Sequence, residues 1–237
     1  MERDAPATVP STARRDYLVD FVPQFTLEPP RTALLVIDLQ YASASRTHGL
    51  GRLLAEQGRE ADGQYRFDRI ERVVVPNVRT LLEFFRRRGL RVIYLTVGSL
   101  LPDYRDMPAH MHGFARAVGN TQGRREHEIL DEVRPEPGEI VMNKTTTGAF
   151  NSTSLDATLR TLGIVDLVIT GVSTNSCVET TARDAADRGY RCVLVEDGCG
   201  AARPEFHEAT LASFRRLFGR VASTREVIEE LTAVMAR

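Results

Sequence analysis

The stretch VDLVITGVSTNSCVETTARDAADRG, residues 165–189, contains the pattern on which the rest of the chain is built. It begins as a continuous apolar run, breaks at Gly171, crosses small polar residues and enters a helical pattern at Cys177. A continuous apolar strand, unlike an alternating one, is typical of a sheet that is covered on both faces. The stretch therefore predicts one strand–helix unit of an α/β protein.

The same alternation recurs along the chain. Strand patterns occupy residues 33–38, 91–96, 139–142, 166–170, 191–195 and 220–222. Helical patterns occupy residues 70–88, 151–162, 177–188, 204–218 and 223–236. Strands that alternate with helices predict right-handed crossovers and a mostly parallel sheet. We therefore expect a Rossmann-like, three-layer α/β/α fold.

The remaining segments carry no clear pattern. Residues 40–67 are predicted to form a long polar loop, and residues 97–138 a loop with one short helix near 124–133. Residues 1–30 are polar and proline-rich, without the apolar core of a secretory signal. We expect them to form an N-terminal arm on the body or on a neighbouring subunit, and residues 31–237 to form one domain.

Composition excludes several classes of protein. The chain has 237 residues, of which 42% are hydrophobic and 27% charged, and its net charge is −1. These values predict neither a nucleic acid nor a membrane as a partner, and no apolar stretch approaches the length of a membrane span. Three cysteines (Cys177, Cys192 and Cys199) are too few for a disulfide scaffold, which favours a reducing, cytoplasmic setting.

Cys177 has two interpretations. A thiol at the first turn of a helix lies at the positive end of the helix dipole, which lowers its pKa and favours a thiolate. Alternatively, the residue is a small buried hydrophobe. Ligands of doubly wound sheets bind beyond the carboxyl ends of the strands, where Asp38 ends the first strand and Lys144 follows the third. We expect Asp38, Lys144 and Cys177 to meet at that edge.

A carboxylate, an ammonium and a thiol at one edge form a sensible nucleophilic set. Asp38 would take the thiol proton and later donate it to a leaving amine. Lys144 would stabilise the thiolate and keep the carboxylate charged. Taken singly, such an aspartate is more often a turn residue and such a lysine more often solvated, so the interpretation depends on their convergence.

Three motifs in this order resemble one family, the isochorismatase-like cysteine hydrolases. They are LVIDLQ at 35–40, Lys144 followed by GAFNS at 148–152, and GVSTNSCV at 171–178. The family includes N-carbamoylsarcosine amidase, ureidoacrylate amidohydrolase, biuret hydrolase and nicotinamidase. The resemblance covers the chain from about Thr32 to the C-terminus, and it implies an isochorismatase-like hydrolase domain that forms a homodimer or homotetramer.

The resemblance implies a catalytic triad of Asp38, Lys144 and Cys177. It also implies a cis peptide bond before Ser173, so that the backbone N–H groups of Ser173 and Cys177 form an oxyanion hole.

Four further residues are candidates for substrate binding. Gln40 and Phe150 accompany the matched motifs and are expected to line the pocket. Thr174 and Asn175 either contact the substrate or hold the turn before the helix.

No metal or other cofactor is expected. Zinc-binding relatives, the nicotinamidases, carry an Asp-x-His pair shortly after the first strand, and this chain has none between residues 38 and 67. His110 and His112 have metal-like spacing, but two histidines do not complete a site. We therefore expect a metal-free enzyme and a small-molecule amide as its substrate.

Three functions remain open. The first is a cysteine-dependent amidohydrolase that cleaves a C–N bond of a small amide, carbamoyl or ureido compound through a thioester. The second is an isochorismatase-type vinyl-ether hydrolase, whose members generally lack the cysteine, so Cys177 argues against it. The third is a catalytically idle homologue that serves as a binding module.

Overall fold

The computed structural model describes residues 17–237. Within them, all strand pairs are parallel and form one sheet of order β3-β2-β1-β4-β5-β6. The strands are β1 (Thr32–Ile37), β2 (Arg91–Val97), β3 (Ile140–Lys144), β4 (Asp166–Val172), β5 (Arg191–Gly200) and β6 (Arg220–Ala222). The predicted strands are confirmed, and the sheet is entirely parallel rather than mostly so.

Helices cover both faces of the sheet. They are α1 (Tyr41–Ala44), α2 (Gly49–Glu56), α3 (Glu60–Arg69), α4 (Val75–Arg87), α5 (Ala109–Val118), α6 (Leu155–Thr161), α7 (Glu179–Asp187), α8 (Pro204–Leu217) and α9 (Thr224–Met235). One apolar core lies between the sheet and helices α4 and α9, and a second lies between the sheet and helices α6, α7 and α8. The predicted three-layer α/β/α fold is therefore confirmed.

The direction of strand addition reverses between the two central strands, β1 and β4. At their carboxyl ends the two backbones approach closely, because Gly171 of β4 pairs with Ile37 of β1. Gly171 has a φ of 120°, and a Cβ atom there would collide with the Ile37 carbonyl oxygen. Only glycine fits such a position. This reversal is the place at which sheets of this kind hold their ligands.

The prediction of a long loop over residues 40–67 is wrong. Residues 41–69 form helices α1, α2 and α3, and a π-helical turn at Ile70–Val74 joins α3 to α4. The buried positions of α3 are Gly63, Arg66 and Phe67, so this helix lacks the apolar stripe by which an amphipathic helix is recognised.

The second predicted loop also contains a helix, α5, which the sequence pattern missed. The short helix expected near residues 124–133 is instead two separate 3₁₀ turns, Arg125–His127 and Asp131–Val133. Helix α5 buries only Ala115 and Val118, so its apolar face is narrow.

Two helices begin later than predicted, because a short turn precedes each of them. The helix expected from residue 151 begins at Leu155, after a 3₁₀ turn at Ala149–Asn151. The helix expected from Cys177 begins at Glu179, because Thr174–Val178 forms a π-helical turn.

The described part of the predicted N-terminal arm lies on the body. The Leu27 side chain is fully buried, and its backbone N–H donates to Glu230 Oε1 at 2.8 Å. The Glu28 backbone N–H donates to Asp166 Oδ2 at 2.7 Å, next to the start of β4. Residues 1–16 of the predicted arm lie outside the described residues.

The helices of residues 17–237 include none that combines the length and the apolar character needed to cross a bilayer.

Candidate active site

Three predicted residues meet at the carboxyl ends of β1, β3 and β4. Asp38 directly follows β1, Lys144 is the last residue of β3, and Cys177 lies in the turn after β4. Lys144 Nζ donates to Asp38 Oδ2 at 2.8 Å, and the Cys177 thiol interacts with both groups. Because β3 is separated from β1 by the whole of β2, about 10 Å, only a long side chain can bridge that gap.

The backbone at Asp38 turns sharply out of the strand. Its φ is 52°, in the left-handed region that aspartate tolerates better than most residues. Its backbone N–H donates to the Leu95 carbonyl of β2 at 2.8 Å, which holds the turn against the sheet. A non-glycine residue in this region is a marker of functional sites.

The Asp38–Lys144 pair is sealed from solvent. The side chains of Asp38 and Lys144 are 3% and 0% exposed. Burial raises the pKa of Asp38, and the Lys144 ammonium opposes that rise. Burial acts to lower the pKa of Lys144, but Asp38 and Cys177 outweigh it and raise the pKa. The result is a carboxylate that is a stronger base than an exposed aspartate, held beside a firmly protonated amine.

Asp38 retains an unused acceptor. Its Oδ2 atom takes the lysine hydrogen bond, whereas its Oδ1 atom is buried without a hydrogen-bond partner among the described residues. An unsatisfied buried acceptor is costly, so this atom is suited to a proton or to a donor on a ligand.

In the free site, burial opposes the preformed Cys177 thiolate that the helix position predicted. Burial and the neighbouring Asp38 carboxylate raise the pKa of Cys177 to about 12, and Lys144 only partly opposes them. Cys177 lies in the π-helical turn Thr174–Val178, which continues directly into the helix at Glu179. In the resting site, burial and Asp38 together favour a neutral thiol beside a base.

Ser173 adjoins the thiol. The Val172–Ser173 peptide bond is cis, as the resemblance implied. The Ser173 hydroxyl oxygen accepts a hydrogen bond from Arg66 Nη1 at 2.8 Å. Ser173 and Cys177 both line the same cavity.

This cavity has a volume of about 360 Å³ and opens above Cys177. Its floor consists of strand-end residues, namely Asp38, Val172, Ser173 and Cys177, with Lys144 beneath them. One wall comes from helices α1 to α3, and the other from α5 and its flanks. The wall residues are Ser43, Leu50, Arg66, Met107, His110, Met111, Phe114, Ala115 and Asn120. The walls are mainly apolar, which suits a small organic molecule.

Gln40 and Phe150, two of the predicted substrate residues, do not line this cavity. Gln40 is fully buried; its amide donates to the carbonyls of Val97 and His127 at 3.1 and 2.7 Å and accepts from the Val97 N–H at 2.8 Å. The Phe150 ring stacks on Tyr190, with ring centroids 6.0 Å apart. Both side chains hold the scaffold beneath the site.

Thr174 and Asn175 also lie outside the cavity lining. Thr174 is buried, and its hydroxyl is 2.9 Å from His207 Nδ1. His207 Nε2 is in turn 2.8 Å from Arg69 Nη2. Since arginine only donates, His207 Nδ1 carries the proton and donates to Thr174. The Asn175 side chain is exposed. Of the two roles considered for Thr174, these contacts support the one in which it holds the turn before the helix.

No sequence pattern marked Arg66, Asn120 or the apolar side chains of α5 as parts of the cavity. Arg66 falls in a segment that was predicted to be a loop, and Asn120 follows a helix that was not predicted. Only the tertiary packing of these segments brings them over the thiol, so no local pattern marks them.

The two spaced histidines bind protein atoms. His110 Nε2 is 3.2 Å from Thr147 Oγ1, and His112 Nε2 is 2.6 Å from the Met107 carbonyl oxygen. Across residues 17–237 there is no group of three or more His, Cys, Asp or Glu side chains arranged to hold a metal ion. A metal-free site stays a prediction.

Known proteins resemble the chain in sequence and fold. The family model of the isochorismatase domain matches residues 32–226. Ureidoacrylate amidohydrolase RutB of Caulobacter segnis is 31% identical over 220 residues, which cover 84% of this chain and 85% of that protein.

Two solved structures share the architecture. A cysteine hydrolase from Pseudomonas syringae pv. phaseolicola has a TM-score of 0.73 and 21% identity, over 90% of this chain and 98% of that one, which shows the common fold. N-carbamoylsarcosine amidase from Thermoplasma acidophilum has a TM-score of 0.59 and 28% identity, over 82% and 96% of the two chains. Since the family match spans most of its length, the chain belongs to the isochorismatase domain family.

Proposed function

We propose that this protein is a cysteine-dependent amidohydrolase that cleaves a C–N bond of a small amide, carbamoyl or ureido compound through a thioester on Cys177. The observation that carries the proposal is the thiol beside a buried carboxylate–ammonium pair, 2.8 Å apart, at the floor of a small cavity. The relatives named as amidohydrolases and amidase support a hydrolase of C–N bonds other than peptide bonds.

Acylation begins with proton transfer. Asp38 accepts the thiol proton on its unpaired Oδ1 atom while the sulfur attacks the substrate carbonyl carbon. The carbonyl π electrons move onto its oxygen, and the backbone N–H groups of Ser173 and Cys177 would stabilise that oxyanion. When the tetrahedral intermediate collapses, the C–N bond breaks, Asp38 gives the proton to the leaving nitrogen, and a thioester remains.

Coupling of attack and proton transfer follows from the resting charge state. A thiol whose pKa is about 12 supplies very little thiolate at neutral pH. The nearby Asp38 carboxylate solves this problem because it removes the proton as the S–C bond forms. Lys144 favours both charged forms in turn, first the carboxylate and then the sulfur anion that transiently develops.

Hydrolysis of the thioester reuses the same base. Asp38 takes a proton from a water molecule, whose oxygen attacks the thioester carbonyl. The C–S bond then breaks, and the proton on Asp38 returns to the departing sulfur. The products are a carboxylic or carbamic acid and the original thiol, so one water is consumed per C–N bond.

The three cysteines of the chain are free, Cys177 partly accessible and Cys192 and Cys199 buried. A reducing, cytoplasmic setting, which would keep the nucleophile in its thiol form, belongs to the same proposal. Assembly into a dimer or tetramer stays a prediction.

A screen of ammonia release tests the proposed class. The substrates are biuret, ureidoacrylate, N-carbamoyl amino acids, nicotinamide and simple amides. The wild-type protein is compared with Cys177→Ala and with Cys192→Ala, which removes a fully buried thiol outside the cavity. We expect turnover of at least one substrate by the wild type and by Cys192→Ala, and none by Cys177→Ala. Full turnover by Cys177→Ala would reject the proposal.

A further inference from the structure

Arg66 is a buried cation in the wall of the cavity. It is 7% exposed and lies on α3, facing the floor. Burial lowers its pKa to about 10, so the guanidinium stays charged at neutral pH. Among the described residues, no aspartate or glutamate lies within ion-pair distance of Arg66. A buried charge without a partner is strongly unfavourable, which makes Arg66 a candidate for binding an anion.

The hydrogen bonds of Arg66 leave part of the guanidinium free. Its Nε donates to the Ser43 carbonyl oxygen at 2.9 Å, and its Nη1 donates to Ser173 Oγ at 2.8 Å. Both acceptors are neutral. Nη2 makes no hydrogen bond to any described residue and is not sealed off from the cavity. A guanidinium carries five N–H donors, so three remain available.

The charges of the cavity do not balance. The Asp38 carboxylate is neutralised by Lys144, and burial favours the neutral form of Cys177. Arg66 therefore leaves one positive charge that nothing in the lining offsets. The remaining lining is mainly apolar, so water screens this charge less than at the surface.

Asn120 contributes a second unused polar atom. Its Nδ2 donates to the Val97 carbonyl oxygen at 2.7 Å, which fixes the orientation of the amide. Its Oδ1 is buried without a hydrogen-bond partner among the described residues. That oxygen is sealed from the cavity, so Arg66 is the group that the walls offer to a charged ligand.

We propose that Arg66 binds a carboxylate of the substrate, so that the enzyme prefers ureido or carbamoyl acids over neutral amides. This inference rests on the proposed function and deepens it. The planar fork of arginine matches a carboxylate through two parallel hydrogen bonds, from Nη2 and the second proton of Nη1. A single guanidinium between apolar walls fits one carboxylate better than a doubly charged phosphate.

The contact between Arg66 and Ser173 limits the length of the substrate. Ser173 Oγ receives the Arg66 hydrogen bond, and the Ser173 backbone N–H is assigned to the oxyanion. The carboxylate and the scissile carbonyl therefore bind on either side of one residue. We expect a spacer of only a few atoms between them.

The test compares two probes that share a carbamoyl group: 3-ureidopropionate, which carries a carboxylate, and n-butylurea, which does not. The wild type, Arg66→Gln and Arg66→Lys are measured beside the control Arg72→Gln. Arg72 lies in the turn after α3, its side chain is 76% exposed, and it is 3.8 Å from Asp68. The readout is the ratio of kcat/KM for the acid to kcat/KM for the neutral urea.

We expect Arg66→Gln to lower this ratio by roughly 10- to 100-fold, chiefly through KM for the acid, since a charge-assisted pair is lost. Arg66→Lys should recover part of the ratio because it restores the charge without the fork. Arg72→Gln should keep the wild-type ratio. Thermal unfolding of each variant establishes that it is folded.

Two outcomes overturn the inference. An unchanged ratio in Arg66→Gln means that Arg66 does not bind the substrate carboxylate. An equal fall in kcat for both probes means that Arg66 acts on the sulfur or the oxyanion instead.

Calorimetric titration of the same probes into Cys177→Ala and into the Cys177→Ala, Arg66→Gln double variant separates the two proposals. Binding of 3-ureidopropionate that needs Arg66, together with a wild-type protein that hydrolyses none of the amides, would reject the proposed function and keep the carboxylate site. Binding that is equal with and without Arg66, or absent from both, would reject the carboxylate site whatever the activity.

Discussion

The floor of the cavity consists of strand ends, whereas its walls are helices that the chain inserts between strands. The floor holds the polar groups Asp38, Lys144 and Cys177, whose charges are matched and whose positions are fixed by the sheet. The walls are mainly apolar and contain one unmatched charge, Arg66. We therefore expect catalysis to depend on the floor and substrate selectivity to depend on the walls. Changes in the floor should therefore act on kcat, and changes in the walls on KM.

The largest effect is expected for Asp38→Asn. An amide can neither accept the thiol proton nor pass it to the leaving nitrogen, so both proton transfers lose their carrier. Turnover should fall by roughly 10³-fold or more, with the loss in kcat. Steady-state kinetics on the best substrate of the screen measures it. A fall of less than about tenfold in kcat would mean that Asp38 is not the base.

The contributions of Asp38 and Lys144 to the free energy of unfolding should depend strongly on each other. Lys144→Met leaves the Asp38 carboxylate 3% exposed and uncompensated, which should lower the free energy of unfolding by about 3–5 kcal/mol. Asp38→Asn should also lower the free energy of unfolding, because it leaves the buried Lys144 ammonium uncompensated. The double variant should lose much less than the sum of the single losses, and urea unfolding of all four proteins measures the cycle. Additive losses would contradict a coupled pair.

The pH dependence of thiol alkylation probes the resting state of the floor. Because burial and Asp38 raise the pKa of Cys177 to about 12, the thiolate fraction is small at neutral pH. It should rise about tenfold per pH unit between pH 7 and 10, with no plateau. Mass spectrometry after timed iodoacetamide treatment follows Cys177, and the buried Cys192 and Cys199 serve as unreactive controls. A plateau below pH 8 would restore the preformed thiolate.

The smallest effect belongs to the walls. Phe114 lines the cavity from α5 and is 49% exposed, so Phe114→Ala should remove about 1 kcal/mol of apolar contact with substrate. We expect KM to rise about 3- to 10-fold while kcat changes less than about twofold. Phe206→Ala, which alters a residue 45% exposed on α8 and outside the cavity, is the matched control. A large loss in kcat for Phe114→Ala would contradict the expectation that wall residues act mainly on KM.

The same division explains what the sequence could predict. Asp38 directly follows β1, Lys144 ends β3 and Cys177 lies in the turn after β4, so the rule that parallel strands deliver their ends to one edge brings them together. The strands themselves were recognised because β1 and β4 are buried along their whole length.

The walls could not be predicted in this way. Helix α3 packs through Gly63, where a Cβ atom would approach the Leu54 side chain of α2 to 2.8 Å, and through Arg66, whose hydrogen-bond partners lie far away in the sequence. Such a helix has no apolar stripe to recognise. The substrate candidates were misplaced for a related reason: Gln40 accompanies a motif because it ties β1 to β2, not because it faces the cavity.

The thiolate interpretation of Cys177 took account of helix position but not of burial. A dipole at a helix end changes the free energy of a charge by about 0.3–1 kcal/mol, whereas burial can shift a pKa by several units. Only the folded structure reveals that the carboxylate beside Cys177 is buried with it.

The most direct test of covalent catalysis is rapid-quench mass spectrometry of the protein during turnover of its best substrate. The account predicts a transient mass increase equal to the acyl or carbamoyl group, located on the peptide that contains Cys177 and released by hydroxylamine. The Cys177→Ala variant should show no adduct. An adduct on another residue, or steady turnover by Cys177→Ala, would contradict the account.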